Sequence, residues 1–210
     1  MKGGFWRFVV WFGGIGGAIC LLLYLFVYDT WVIPLDVVLD DSIMPTLYPQ
    51  DRILTSRNSG TDLKVGQLAR CASPEPGLEY VIGRVMGREG DKVEIREGRV
   101  LTNGHGLPSR HACEAVKLQH PATGEDVTLN CHVEENGSWT FSFLWSQNYN
   151  EGQMAATVET GKVFLVSDNR YIHKDSRDFG QLDAASCEHI VFRLWGDSFV
   201  DSKRRFSLLY

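Results

Sequence analysis

The chain has 210 residues, 44% of them hydrophobic, and a formal net charge of -5 at pH 7. That length supports one membrane segment plus one compact domain with its own core, and excludes two large domains. Its 21 lysines and arginines are outnumbered by 26 aspartates and glutamates and are not clustered, which excludes a surface built to neutralise nucleic-acid phosphates.

Residues 8–28 carry no charge. A helix rising about 1.5 Å per residue over that stretch covers a hydrocarbon core of about 30 Å, so residues 1–28 are read as an uncleaved membrane anchor. Small residues suited to a cleavage site do not follow; Tyr28, Asp29, Thr30 and Trp31 do. Lys2 and Arg7 precede the span, while Asp29, Asp36, Asp40 and Asp41 lie between it and the next basic residue, Arg52. The asymmetry predicts a cytoplasmic N-terminus and residues 29–210 on the far, periplasmic or equivalent, side of the inner (plasma) membrane.

Beyond the span, short apolar runs alternate with turn residues, and no long 3.6-residue period occurs, so the domain is predicted to be mainly β. Strands are expected at 37–39, 67–71, 80–86, 92–96, 140–144, 162–167 and 190–195. Turns are expected at Asn58-Ser59-Gly60, Pro74 to Gly77, Glu89-Gly90-Asp91, Asn103-Gly104 and Glu135-Asn136-Gly137. Asn103-Gly104 suits a tight hairpin because both residues tolerate positive φ. Residues 105–160 are more polar and less regular, and read as an inserted β-rich subdomain. Of five cysteines, Cys20 lies in the span. Cys71, Cys113, Cys131 and Cys187 lie beyond it, and an oxidising compartment allows them disulfides, with Cys113–Cys131 the preferred pair and buried free thiols the alternative.

Ser42-Ile43-Met44-Pro45-Thr46-Leu47 follows the span by about fifteen residues. A serine hydroxyl attacks a peptide only with a base and oxyanion donors beside it. Pro45 restricts the backbone after Met44, and Ile43, Met44 and Leu47 offer apolar contacts to substrate or lipid. Two further boxes follow in order: Arg84-Val85-Met86-Gly87 with Gly90-Asp91-Lys92-Val93, then Val166-Ser167-Asp168-Asn169-Arg170 running on to Asp175-Ser176-Arg177-Asp178-Phe179-Gly180.

Together with the preceding span, these three boxes resemble those of type I signal peptidases, membrane-bound serine endopeptidases that remove signal sequences from exported proteins. Phe192-Arg193-Leu194-Trp195 and Arg204-Arg205-Phe206 look more like the bacterial branch. The resemblance implies an antiparallel β core carrying an inserted β-rich subdomain, cleavage after small residues, and preproteins and the lipid bilayer as partners. It implies no metal or organic cofactor. It also implies that Ser42 is the nucleophile with its amide as an oxyanion donor, and that Asp168, Asn169, Asp175, Ser176 and Arg177 support the site, Arg170 and Arg177 fixing carboxylates such as Asp168 and Asp175.

The chain departs from that pattern at three positions. The family's basic lysine falls at Gly83, which cannot transfer a proton. The position two before the nucleophile is Asp40, whose charge opposes the oxyanion, and the position two before Asp175 is His173. In one reading His173 has become the base, oriented by Asp40 or Asp175 in a Ser-His-Asp arrangement. In the other, catalysis is lost and the chain binds signal sequences or serves as a membrane scaffold. Lys92 and Lys174 are set aside as bases because both are expected to point from turns into solvent.

Overall fold

The computed structural model describes residues 2–33, 39–56, 60, 62–111, 113–137, 139–146 and 152–209. It opens with helix α1 (Lys2–Thr30), in which the segment Val10–Val27 has a mean hydropathy of 2.1 and is not buried among the described residues. This helix is long and apolar enough to cross a membrane.

The described residues after α1 form strands β1 (Trp31–Val32), β2 (Arg52–Ser56), β3 (Leu68–Ala72), β4 (Tyr80–Arg88), β5 (Lys92–Arg96), β6 (Arg99–Thr102), β7 (His105–Gly106) and β8 (Ser109–His111). They continue as β9 (Val116–Gln119), β10 (Asp126–Asn136), β11 (Trp139–Trp145), β12 (Gln153–Thr157) and β13 (Lys162–Val166). Last come the short helix α2 (Ser176–Phe179) and strands β14 (Leu182–Asp183), β15 (Glu188–Trp195) and β16 (Ser207–Leu208). The expected strand at 37–39 falls, at residues 37 and 38, outside the described residues.

The main sheet runs β1-β2-β15-β3-β4-β13-β14, with β16 on β15, and its ladders are antiparallel. β4 is central and buried on both faces: Val81 and Val85 pack with Val163, Leu165 and Leu182, while Ile82 faces Leu39, Ile43, Leu47 and Ile53 on the other side. That double burial explains its nearly continuous apolar sequence, since each pleated face needs its own apolar side chains. A second sheet runs β12-β5-β6-β7 and a third β11-β10-β8, with β9 also on β10. Asn103 and Gly104, at φ 55° and 80°, make the hairpin turn between β6 and β7. Residues 105–160 are shared between sheets: 109–145 build the third, whereas β12 pairs with β5 in the second.

Two disulfides staple these layers. Cys113–Cys131 joins the third sheet to the loop before β9, and Cys71–Cys187 ties β3 to the start of β15. The second of these is a pairing that spacing alone does not single out.

Candidate active site

Ser42 lies in a single 3-10 turn, Asp41–Ile43, started by Asp40. Extended backbone at Asp40 lets its Oδ1 accept the Ser42 amide at 2.9 Å, the ordinary service of an aspartate at the start of a helical turn. The amide expected to serve as an oxyanion donor is therefore held by a carboxylate in this state. Leu47 and Met44, offered by the sequence as contacts for substrate or lipid, are core residues, Leu47 packed with Leu39, Ile53 and Leu68 and Met44 buried against Leu129, Cys131 and Leu144, while Ile43 shares the Leu47 core and also lines the cavity beside Ser42. The correction follows from the turn's sharp path, which sends successive apolar side chains into two different cores. The Met44–Pro45 peptide is cis.

The last box grips this turn from outside. The Asn169 amide donates to the Ser42 carbonyl at 2.9 Å, and Asn169 Nδ2 donates to the Asp41 carbonyl at 2.9 Å. Asn169 Oδ1 accepts the amides of Tyr171 and Ile172. One residue earlier, Asp168 receives Arg84 Nε at 2.9 Å and Nη2 at 2.7 Å, and Thr46 Oγ1 donates to the same carboxylate. Arg84 also donates to the Gly66 carbonyl and lies 4.0 Å from the centre of the Phe141 ring. Asp168 was expected to pair with Arg170; Arg84 has that place because it rises from β4 directly beneath the box, and Arg170 turns to Glu134 at 3.4 Å. Burial holds the Glu134 carboxyl above its usual range and the Arg170 guanidinium below its own.

Asp175 and Ser176 act through the backbone. Asp175 caps α2, accepts the Ser167 amide at 2.6 Å and pairs with Arg177 at 2.7 Å. Ser176 Oγ accepts the Leu165 amide at 2.9 Å. Burial pushes the Asp175 carboxyl up, but Arg177 and the donated amides outweigh it and bring its pKa down to about 2.

Beside Ser42, which is 4% exposed, lies a cavity of about 30 Å³ walled by Asp40, Ser42, Ile43, Leu78, Tyr80, Ile82 and Lys174. Lys174, set aside as solvent-facing, folds over it with Nζ 2.8 Å from Asp40 Oδ2. Burial raises the Asp40 carboxyl pKa, yet hydrogen bonds from Lys174 and from the side chain and amide of Ser42 prevail, and the net shift is downward.

His173 is not among these walls. Its Nδ1 lies 2.8 Å from Asp178 Oδ2, where Asp40 or Asp175 was the expected partner; Asp40 pairs with Lys174 and Asp175 with Arg177. His173, Asp175 and Asp178 bring ligand atoms within 4.8 Å of one another, but these carboxylates already accept from Arg177, from His173 and from backbone amides. Lys92 pairs with Glu94 on β5.

Gly83, expected from the order of the boxes to stand at the family's lysine position, is closely packed. A Cβ built there meets Leu165 Cβ and the Val166 carbonyl oxygen, each at 3.1 Å. The cavity walls Leu78, Tyr80 and Ile82 carry no sequence signal that singles them out, whereas Asp178, named only as part of its box, completes a reciprocal cap on α2 that its spacing from Asp175 could have revealed.

Comparison with known proteins agrees with the order of the boxes. The family model described as "Signal peptidase, peptidase S26" matches residues 9–195. Signal peptidase I P of Bacillus subtilis subsp. natto is 24% identical over 177 residues, 81% of this chain and 83% of that protein. Signal peptidase IB of Staphylococcus aureus strain COL is 24% identical over 188 residues, 87% of each chain. A crystal structure of a signal peptidase I from Enterococcus faecalis V583 aligns at TM-score 0.38 and 26% identity, over 62% of this chain and 97% of that one. With a match running from within α1 to the end of β15, the chain belongs to the signal peptidase family, peptidase S26.

Proposed function

We propose that this protein is a membrane-anchored serine endopeptidase that removes signal peptides from exported preproteins. The observation that carries the reading is the small cavity beside Ser42. At about 30 Å³ it is far below the roughly 300 Å³ or more of a pocket for a drug-sized ligand, so the side chain it receives before the cut is a small one. Leu78, Tyr80, Ile82 and Ile43 give it an apolar wall, while the Asn169 clamp fixes the turn from which Ser42 would attack.

Ser42 is the nucleophile in this proposal and His173 its base. A carboxylate at Nδ1 obliges that nitrogen to donate, which leaves the lone pair on Nε2, the form a general base needs. Asp178 supplies that carboxylate. The ring stands outside the cavity wall, so transfer of the Ser42 proton to it would need a bridging water or a shift of the 171–175 loop. The positive residues ahead of the span, Lys2 and Arg7, put the N-terminus in the cytoplasm, so cutting takes place on the opposite face of the membrane.

The test is incubation of the full-length protein, in detergent or vesicles, with an exported precursor, reading the new N-terminus by mass spectrometry. Cleavage after a small residue, lost in both Ser42→Ala and His173→Ala, is expected. Cleavage that survives Ser42→Ala rejects the nucleophile, and cleavage that survives His173→Ala rejects the base.

A further inference from the structure

Two features of the Ser42 site conflict if each is taken alone. Asp40 puts a negative charge where the carbonyl oxygen of a scissile peptide must become negative. It also occupies the Ser42 amide, a donor that this oxygen needs. Lys174 is the one lysine or arginine among the described cavity walls, and its ammonium sits on the second oxygen of the same carboxylate, 2.8 Å away.

We propose that Lys174 is a catalytic cation of this site: it cancels the Asp40 charge and stabilises the oxyanion that forms when Ser42 attacks. The inference rests on the reading of Ser42 as the nucleophile. In the step envisaged, the peptide carbonyl oxygen takes the Ser42 amide and displaces Asp40 Oδ1, while Asp40 stays tethered to Lys174 through Oδ2. Ser42 Oγ then bonds to the carbonyl carbon, its proton goes to the imidazole base, and the carbonyl π pair moves onto oxygen. When the C–N bond breaks, that pair returns and the leaving amine takes the proton from the imidazolium. Lys174 keeps its protons throughout and acts by charge.

The ion pair is too exposed to do this for the sake of the fold. Lys174 is 55% and Asp40 38% exposed at the side chain, and a pair so open to solvent contributes little to stability. An ammonium beside an apolar cavity that substrate closes off from water is different. There, a donor aimed at developing charge accelerates the reaction far more than it steadies the resting protein.

The experiment measures the rate at which a small fluorophosphonate modifies Ser42 in the full-length protein, by mass spectrometry, alongside kcat and KM on a precursor. Lys174→Ala is expected to slow modification roughly a hundredfold, the size of effect seen when one oxyanion donor is removed, and to lower kcat with little change in KM. Lys174→Arg restores most of the rate. The double variant Asp40→Ala/Lys174→Ala reacts about tenfold faster than Lys174→Ala alone, because no orphaned carboxylate is left beside the oxyanion. If the unaltered protein is modified at Ser42 and Lys174→Ala keeps that rate, or the double variant is no faster than the single one, the role of Lys174 is overturned while Ser42 stands. If the unaltered protein is not modified at Ser42 at all, the nucleophile and this inference fall together.

Discussion

The Asn169 amide donates to the Ser42 carbonyl oxygen at 2.9 Å, and the Asn169 side chain reaches one residue further back to the Asp41 carbonyl. Two chain segments far apart in sequence thus share one geometry, and the position of Ser42 depends on Asn169. Asn169→Ala should remove the side-chain bond to Asp41 and strand the amides of Tyr171 and Ile172. The expected cost is about 2–4 kcal/mol of stability for buried groups left unpaired, with a fall in kcat larger than any change in KM. Thermal unfolding and precursor kinetics check both parts.

Arg84 and Asp168 form a pair with neither side chain exposed to solvent. Breaking such a pair leaves an uncompensated buried charge, at about 3–5 kcal/mol. Arg84→Ala should lower the denaturation midpoint sharply and release Thr46, which shares the Asp168 carboxylate. Arg84→Ala combined with Asp168→Ala should recover part of the loss, measured by urea unfolding.

Acid should act through Asp175, whose folded pKa of about 2 lies below the ordinary 3.8. A depressed carboxylate contributes stability that is full above pH 3.8 and is lost as pH falls through about 2. The shift corresponds to an amount on the order of 2 kcal/mol. Melting temperature recorded between pH 6 and 2 should fall over the lower part of that range, and Asp175→Asn should flatten this component of the slope while lowering stability at neutral pH.

Placing a lysine at Gly83, where the resemblance expects the family's base, should not produce a gain in activity. The new Cβ would stand 3.1 Å from Leu165 Cβ and from the Val166 carbonyl oxygen. Neither can swing aside, one being fixed to its own backbone and the other part of it. Overpacking of this kind costs about 1–3 kcal/mol. A lower melting temperature with no gain in precursor cleavage is the expected outcome.

Much of the frame was legible because the local pattern and the packing agree. Lys92–Arg96 is a strand over the residues its sequence predicts, and Asn103-Gly104 turns as its two positive φ values require. The longest strand, Asp126–Asn136, was passed over because of its many polar residues, although Val127, Leu129, Cys131 and Val133 alternate along it with the period of a pleated ribbon. At the site, the Asp175–Arg177 pair expected in the last box is present, and the order of the boxes pointed to Ser42 as the candidate. It could not reveal that Lys174 rather than His173 closes over the cavity, because neighbours in an irregular loop diverge by side-chain direction, which no periodicity encodes.

The two disulfides should differ in what they contribute. Cys71–Cys187 spans 116 residues of sequence and Cys113–Cys131 spans 18. In the chain-entropy account the longer loop is worth about 1.5 kcal/mol more. Cys71→Ser/Cys187→Ser should therefore lower stability more than Cys113→Ser/Cys131→Ser does. The shorter link should matter more to cleavage, since Cys131 packs against Met44, two residues from Ser42. Unfolding and kinetics on the two double variants decide this.

Leu144, near the end of β11, gives its amide to the Asp168 carbonyl and takes the Arg170 amide on its own carbonyl. The third sheet is thereby spliced into the loop that carries Asn169, so it is no detachable ornament. A shortened protein prepared by excising residues 109–145 would lose the splint along with the appendage, and its silence in an assay would say nothing about the chemistry of the intact enzyme.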